Sequence, residues 1–124
     1  MQQARKILVV DDEESLVQLC RIILEAAGYQ VRGAYNGRQA LHLIAEDLPD
    51  LVLLDVMMPG MSGIEVCRQI RAQHRDFPRI IMYTADDRHR TRLESLKAGA
   101  NDVLTKETPL YDIANKVTSY LAPH

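Results

Sequence analysis

The chain has 124 residues, which fits one domain, and 47% of them are hydrophobic, enough to build a core. The formal net charge of -2 gives no reason to expect nucleic acid or a membrane surface as the main partner. No apolar run is long enough to span a bilayer, and the first residues lack a signal peptide's apolar stretch, so we expect a cytoplasmic protein.

Short apolar segments alternate along the chain with longer segments of helical spacing. Three of the short segments are apolar on both faces and two are mixed, as edge strands are. In chain order the predicted strands are residues 7–10, 30–34 (mixed), 51–54, 80–83 and 102–105 (mixed). Strand and helix alternate five times, which predicts an α/β domain with a parallel sheet and helices on both faces.

A helical stripe follows each predicted strand. The five stripes are Leu16, Leu19, Cys20, Ile23 and Ala27, closed by Gly28; Ala40, Leu41 and Ile44; Ile64, Cys67 and Ile70; Leu93, Leu96 and Ala100; and Leu110, Ile113, Ala114, Val117 and Leu121. Both cysteines lie on these stripes, so we interpret them as small buried hydrophobic residues and not as metal ligands or a disulfide.

Polar residues follow four of the five predicted strands. Asp11 and Asp12 follow the first, Asp55 the third, Thr84 the fourth and Lys106 the fifth. Because the carboxyl ends of parallel strands meet at one edge, where ligands of such sheets bind, these side chains are expected to lie together. The sequence therefore predicts a site with three carboxylates, one hydroxyl and one ammonium.

Three neighbouring carboxylates repel one another, at about 4 kcal/mol per pair for a separation of about 4 Å and an effective dielectric constant of about 20. One lysine cannot balance them, and the natural additional counter-charge is Mg²⁺, which takes oxygen ligands and keeps water. We expect Asp12 and Asp55 to be direct ligands and Asp11 to act through a bound water.

Asp55 is also suited to be a nucleophile, since a carboxylate can accept a phosphoryl group as an acyl phosphate. Such a transfer needs alignment and neutralisation of charge on the phosphoryl oxygens. In this hypothesis Mg²⁺ holds one oxygen, Lys106 neutralises the second and Thr84 donates a hydrogen bond to the third.

From about residue 6 to residue 121 the sequence resembles the receiver domains of two-component response regulators. The most specific stretch is residues 51–63, LVLLDVMMPGMSG, together with the Asp11–Asp12 pair, Thr84–Ala85 and Lys106. The resemblance implies one flavodoxin-like domain over residues 1–124, with strand order 2-1-3-4-5. It also implies Mg²⁺ bound by Asp12, Asp55 and the backbone carbonyl of Met57.

The resemblance further implies a phosphorylation switch and not an enzyme with turnover on a separate substrate. The phosphodonor would be a histidine kinase or a histidine phosphotransfer protein. The signal would pass to a downstream protein or an attached output domain, and helix 4, strand 5 and helix 5 are the surface on which this family often forms homodimers. The basic segment 88–92 is either a solvated helix face or part of such a surface.

Two positions depart from the family pattern. Val103 stands where a tyrosine or phenylalanine usually turns inward as the threonine moves, and valine is too stiff and small to do so. Glu107 stands where proline usually follows the lysine, so we expect a trans Lys106–Glu107 peptide, because a cis bond before a non-proline residue costs about 2.5–4 kcal/mol. Met57 and Asp86, two residues after Asp55 and Thr84, flank the path of the hydrolytic water in the resembling family, and of the two only Asp86 could orient it.

Three alternatives stay open on the sequence alone. The departures at Val103 and Glu107 would also suit a degenerate receiver that serves as a constitutive interaction module. A phosphatase with an aspartyl nucleophile would need an acid where Met57 stands. A flavodoxin would need a phosphate-binding loop in place of the acidic residues 11–14, which repel phosphate unless a metal intervenes.

Overall fold

The structure is a computed structural model that describes residues 4–122; residues 1–3 and 123–124 of the predicted domain lie outside it. The strands are β1 (Lys6–Val10), β2 (Gln30–Ala34), β3 (Leu51–Leu54), β4 (Arg79–Thr84) and β5 (Asp102–Thr105). The helices are α1 (Glu14–Ala26), α2 (Gly37–Glu46), α3 (Gly63–Gln73), α4 (His89–Lys97) and α5 (Ile113–Leu121), and a 3-10 turn (Leu110–Asp112) precedes α5. Strand and helix thus alternate as predicted.

The strands form one parallel sheet in the order β2-β1-β3-β4-β5, which confirms the predicted topology. β2 and β5, the two strands of mixed composition, lie at its edges. Val10 pairs with Leu54, and Leu54 with Met82, so the ends of the central strands are level. β4 continues beyond its pairing with β3 to Thr84, which pairs with Thr105 of β5.

Alternate side chains of the central strands enter two separate hydrophobic cores. Leu8 and Val10 face the core that α2 and α3 cover, whereas Ile7 and Val9 face the core that α1 and α5 cover. Burial on both faces explains why these strands are continuously apolar. Cys67 lies in the first core and Cys20 in the second, both free and buried, as predicted. Within residues 4–122, no helix combines the length and apolar character that a membrane span requires.

Local sequence signals fix several helix ends. The Ser62 hydroxyl accepts a hydrogen bond from the Glu65 N–H (3.2 Å), and Asn36 caps α2 in the same way through the Gln39 N–H (2.8 Å). α1 ends at Ala26, and Gly28 follows its C-cap, Ala27, with a φ of 99° that suits glycine. There the Gly28 and Tyr29 N–H groups bond back to the carbonyls of Glu25 and Leu24, the pattern of a Schellman motif.

The stripe predicted for α1 is partly wrong. Its buried residues are Val17, Cys20 and Leu24, whereas Leu19 and Ala27 are exposed. The face toward the sheet is centred on Cys20, and the spacing of three and four residues on either side selects positions 17 and 24. The excess of apolar residues in this helix made the neighbouring stripe look equally plausible.

The stripe predicted for α4 is wrong in a more informative way. Leu93 and Leu96 are 45% and 38% exposed, and the buried positions on this helix are Thr91 and Ser95. Ala100 is buried as expected, but it lies beyond the helix end. α4 therefore turns polar residues inward and leucines outward, for a reason that becomes clear from its first turn.

Candidate functional site

The carboxyl edge of the sheet brings the predicted polar residues together. Main-chain hydrogen bonds extend the strand pairing into the site: the Asp11 N–H donates to the Ala34 carbonyl (3.1 Å), and the Asp55 N–H donates to the Val10 carbonyl (3.0 Å). On the far side, the Lys106 N–H donates to the Thr84 carbonyl (2.8 Å). The backbone of each residue is thus fixed by the sheet.

Asp11, Asp12 and Asp55 form a compact acidic cluster. Each offers a carboxylate oxygen, and these oxygens lie within 4.8 Å of one another. Asp11 and Asp55 are buried, with 3% and 5% of their surfaces exposed, while Asp12 is exposed. The Lys106 Nζ lies 2.8 Å from Asp11 Oδ2 and 3.3 Å from Asp55 Oδ2, so it bridges the two buried carboxylates.

Burial and charge act against each other in this cluster. Burial raises the pKa of the Asp55 carboxyl and the Asp11 carboxylate raises it further, against the opposing effects of Lys106 and the Met57 N–H. Burial disfavours the Lys106 ammonium, but the hydrogen bond to Asp11 and the charge of Asp55 outweigh it and raise the lysine pKa. The lysine is therefore held in its charged form, and the Asp55 carboxylate needs more positive charge than one lysine supplies.

The residues fit a magnesium ion. Three carboxylates against one ammonium leave two negative charges uncompensated, the charge that a divalent cation neutralises. The donors are oxygens, which Mg²⁺ prefers, and the exposed Asp12 leaves the cluster open to solvent. The Met57 N–H donates to Asp55 Oδ1 (3.2 Å), while the part predicted for the Met57 carbonyl as a ligand stays a prediction.

Thr84 lies fully buried at the end of β4, where its hydroxyl accepts a hydrogen bond from the Asp86 N–H (3.1 Å). The Asp86 carboxylate in turn accepts bonds from the Arg88 main chain (3.1 Å), from Nε (2.9 Å) and Nη2 (2.7 Å) of the same arginine, and from the Thr91 hydroxyl (2.6 Å). We call Asp86, Arg88 and Thr91 the Asp86 cluster. These hydrogen bonds, from Arg88 and then Thr91, hold the pKa of Asp86 well below its usual range.

The Asp86 cluster corrects two sequence interpretations. The Asp86 carboxylate already accepts four hydrogen bonds, so Asp86 is poorly placed to orient a hydrolytic water. Because it holds Thr91 inward, it also sets the rotation of α4 and so leaves Leu93 and Leu96 outside. The only sequence signal was local: an aspartate in a turn accepts from the N–H two residues on, as Asp86 does from Arg88, but the bond to Thr91 has no such signature.

Gly63 is a further residue of the site. It ends the stretch 51–63 in the sequence, but the sequence alone gave it no role. A Cβ at this position would overlap the carbonyl oxygen of Asp55, and the Gly63 N–H donates to the Val56 carbonyl (2.9 Å). The start of α3 thus packs directly on the backbone of the proposed nucleophile, which only glycine permits.

The structure shows the surroundings of the two positions that depart from the family pattern, Val103 and Glu107. Val103 is partly buried and packs against the core under α2 and α3, and its carbonyl accepts a bond from Arg92 (3.3 Å). The Lys106–Glu107 peptide is trans, as expected, since within residues 4–122 the cis peptide bond is Phe77–Pro78.

Fold and acidic edge together define a flavodoxin-like α/β domain of the receiver class. The chain belongs to the family of response regulator receiver domains, because the sequence model of that family matches residues 7–118. It is 36% identical to the Thermotoga maritima response regulator TrrA solved with Mg²⁺ and beryllofluoride (TM-score 0.84, covering 95% of this chain and 99% of that one).

Two further solved structures show the same likeness. The beryllofluoride-activated receiver domain of Klebsiella pneumoniae RstA is 32% identical (TM-score 0.87, covering 95% of this chain and 99% of that one). A CheY-like receiver domain protein from Methanospirillum hungatei is 28% identical (TM-score 0.90, covering 96% and 94%).

Proposed function

We propose that Asp55 accepts a phosphoryl group from the phosphohistidine of a histidine kinase or a histidine phosphotransfer protein. In this step an Asp55 carboxylate oxygen forms a bond to phosphorus as the bond from phosphorus to the imidazole nitrogen breaks, and the electron pair stays on the leaving nitrogen. The observation that carries the proposal is the position of Asp55, buried beside Asp11 with the Lys106 Nζ 3.3 Å from its Oδ2.

Each neighbouring side chain has a task in this transfer. Asp11, Asp12 and Asp55, with the Met57 carbonyl, would hold Mg²⁺, which when bound supplies positive charge to the phosphoryl oxygens. The Lys106 ammonium neutralises a second oxygen. Because the Thr84 hydroxyl uses its oxygen to accept from Asp86, its own hydrogen is free to be donated to the phosphoryl group.

The proposed output runs through the Asp86 cluster instead of a ring at position 103. A shift of the Thr84 hydroxyl toward Asp55 would break its bond to the Asp86 N–H, and Asp86 directly holds Thr91 in the first turn of α4. Hydrogen exchange tests this route: α4 amides are expected to change their protection on adding Mg²⁺ and beryllofluoride. The change should shrink in Asp86→Asn, and an unaltered change would refute the route.

A homodimer through α4, β5 and α5 is a further part of the proposal. Leu93 and Leu96 are exposed on α4, and Tyr111 is 82% exposed just before α5. Sedimentation with and without beryllofluoride is the measurement, and a monomer under both conditions would contradict this part. A cytoplasmic location, and an output through an attached domain or a separate protein, stay predictions.

The test of the central proposal is incubation with Mg²⁺ and acetyl phosphate or phosphoramidate, followed by mass spectrometry. We expect a gain of one phosphoryl group that maps to Asp55, is lost in Asp55→Asn and is abolished by EDTA. Asp87→Asn, which removes an exposed carboxylate from the β4–α4 loop, is the matched control and should be phosphorylated normally. No mass gain in the wild type would favour the constitutive interaction module instead.

A further inference from the structure

We propose that Tyr83 is a positioning residue, whose hydroxyl fixes the loop that carries Lys106. This inference rests on the proposed phosphorylation of Asp55, since it concerns how Lys106 is held for that reaction. It assigns a chemical task to a residue whose ring would otherwise be no more than core packing.

The Tyr83 ring is itself held firmly. The residue is 4% exposed and lies in the core covered by α1 and α5, together with Cys20 and Ile113. From that position its hydroxyl donates a hydrogen bond to the main-chain carbonyl of Thr108 (3.0 Å) in the β5–α5 loop. A buried tyrosine hydroxyl generally needs such a partner, and here the partner is loop backbone.

The backbone around Lys106 forms a tight turn. The Thr108 N–H donates to the Thr105 carbonyl (3.0 Å), which closes a turn with Lys106 and Glu107 at its centre. Neither central residue is proline, and the peptide between them is trans. The two central positions of the turn therefore lack the stiffness that a proline ring would give, and the proline of this loop, Pro109, comes after Thr108.

Two consecutive residues of β4 hold this turn on both sides of Lys106. The Thr84 carbonyl accepts from the Lys106 N–H (2.8 Å), and the Tyr83 hydroxyl bonds the Thr108 carbonyl. β5 is an edge strand, so β4 is its neighbour within the sheet. Hydrogen bonds from β4, the strand that also supplies Thr84, thus hold the backbone of the turn that carries Lys106.

Position matters for this lysine because its ammonium is a point charge on a flexible stem. The Nζ must stay near Asp11 and Asp55, at the present 2.8 Å and 3.3 Å, to meet a phosphoryl oxygen on Asp55. Loss of the hydroxyl at position 83 frees the far side of the turn, so the ammonium spends less time in place. A misplacement of about 1 Å can cost a reaction about a hundredfold, so a partial loosening should cost about tenfold.

The experiment compares Tyr83→Phe with Tyr29→Phe, each of which deletes one hydroxyl and one hydrogen bond. Tyr29 bonds the Thr118 hydroxyl (2.6 Å), remote from the acidic edge. Phosphorylation by acetyl phosphate at saturating Mg²⁺ is expected to slow about tenfold in Tyr83→Phe alone. A merely structural role would lower thermal stability without slowing the reaction.

A double-mutant cycle tests the route through Lys106. Beryllofluoride affinity in the presence of Mg²⁺ is measured for the wild type, Tyr83→Phe, Lys106→Met and the double variant. If Tyr83 acts through Lys106, its substitution weakens binding in the wild type and has no further effect once the lysine is gone. Equal weakening in both backgrounds would overturn the route.

The remaining outcomes are distinct. A wild type that is phosphorylated at the same rate as Tyr83→Phe overturns the role of Tyr83 and leaves Asp55 as acceptor. A wild type that takes no phosphoryl group and binds no beryllofluoride overturns the proposed function, and the role of Tyr83 falls with it.

Discussion

Replacing Lys106 by methionine removes one charge while keeping most of the side-chain stem, and so isolates the electrostatics of the site. In the metal-free protein it leaves Asp11 and Asp55 buried without their counter-ion. The prediction is a lower free energy of unfolding, together with a higher affinity for Mg²⁺.

The magnitudes follow from the distances. With an effective dielectric constant of about 20, the pairs at 2.8 Å and 3.3 Å are each attractive by about 5–6 kcal/mol before desolvation is subtracted. Because desolvation offsets much of this, loss of one member of a buried pair generally costs about 3–5 kcal/mol, and we expect a loss near the lower end. The lysine is 20% exposed, which favours the smaller value.

Magnesium should reduce the difference in the free energy of unfolding between Lys106→Met and the wild type. Without the ammonium beside it the cation meets less repulsion, and an affinity about tenfold higher adds about 1.4 kcal/mol of stability to the variant at saturation. The assay is urea unfolding followed by circular dichroism, with and without Mg²⁺. Lys97→Met, which removes an exposed lysine of α4, is the control and should change neither quantity.

A difference in the free energy of unfolding that stays constant or widens on adding Mg²⁺ would refute this reasoning. It would mean that the cation and Lys106 do not compete for the same carboxylates. A variant as stable as the wild type without metal would refute the claim that the two buried carboxylates depend on this lysine.

Three further predictions concern neighbouring parts of the fold. Gly63→Ala should lower the free energy of unfolding by about 3 kcal/mol, because its Cβ meets the Asp55 carbonyl; a wild-type urea midpoint would contradict this. Ser95→Ala should raise the free energy of unfolding by about 1 kcal/mol, because the buried Ser95 hydroxyl has no partner among residues 4–122; a destabilised variant would imply that this hydroxyl makes a stabilising contact. The depressed pKa of Asp86 means that its contribution to stability is present above an unfolded pKa of about 4 and is lost as pH falls through the lower folded value. Asp86→Asn should therefore be less stable than wild type at pH 7, with the difference shrinking in acid titrations; a constant difference would exclude the ionised carboxylate as its source.

The sheet and the acidic edge could be predicted because they depend on local, repetitive signals. A strand buried on both faces must be continuously apolar, so β1, β3 and β4 stand out in the sequence. Once the strands are parallel, the residues that follow them must meet at one edge. This geometry brings Asp11, Asp55 and Lys106 together without knowledge of any contact.

The orientation of α4 could not be predicted in the same way, because a single polar contact decides it. Helical periodicity favours burial of Leu93 and Leu96, and the hydrophobic effect alone would do the same. The bond from the Thr91 hydroxyl to Asp86 selects another face, at the cost of leaving the Ser95 hydroxyl buried and without a partner in the described chain. Such a contact depends on the path of the β4–α4 loop, which no spacing rule encodes.

The end of β4 then offers a way to connect the site with the rest of the molecule when position 103 holds a valine. Tyr83 holds the turn that carries Lys106, and Thr84 contacts the N–H of Asp86, whose carboxylate holds the first turn of α4. These contacts leave the same strand in opposite directions, toward β5 and α5 on one side and toward α4 on the other. We therefore expect a displacement of Thr84 toward a phosphorylated Asp55 to reach both elements through the backbone of β4. A helix that turns Thr91 and Ser95 inward loses little apolar burial when it moves, so α4 is the element most easily shifted.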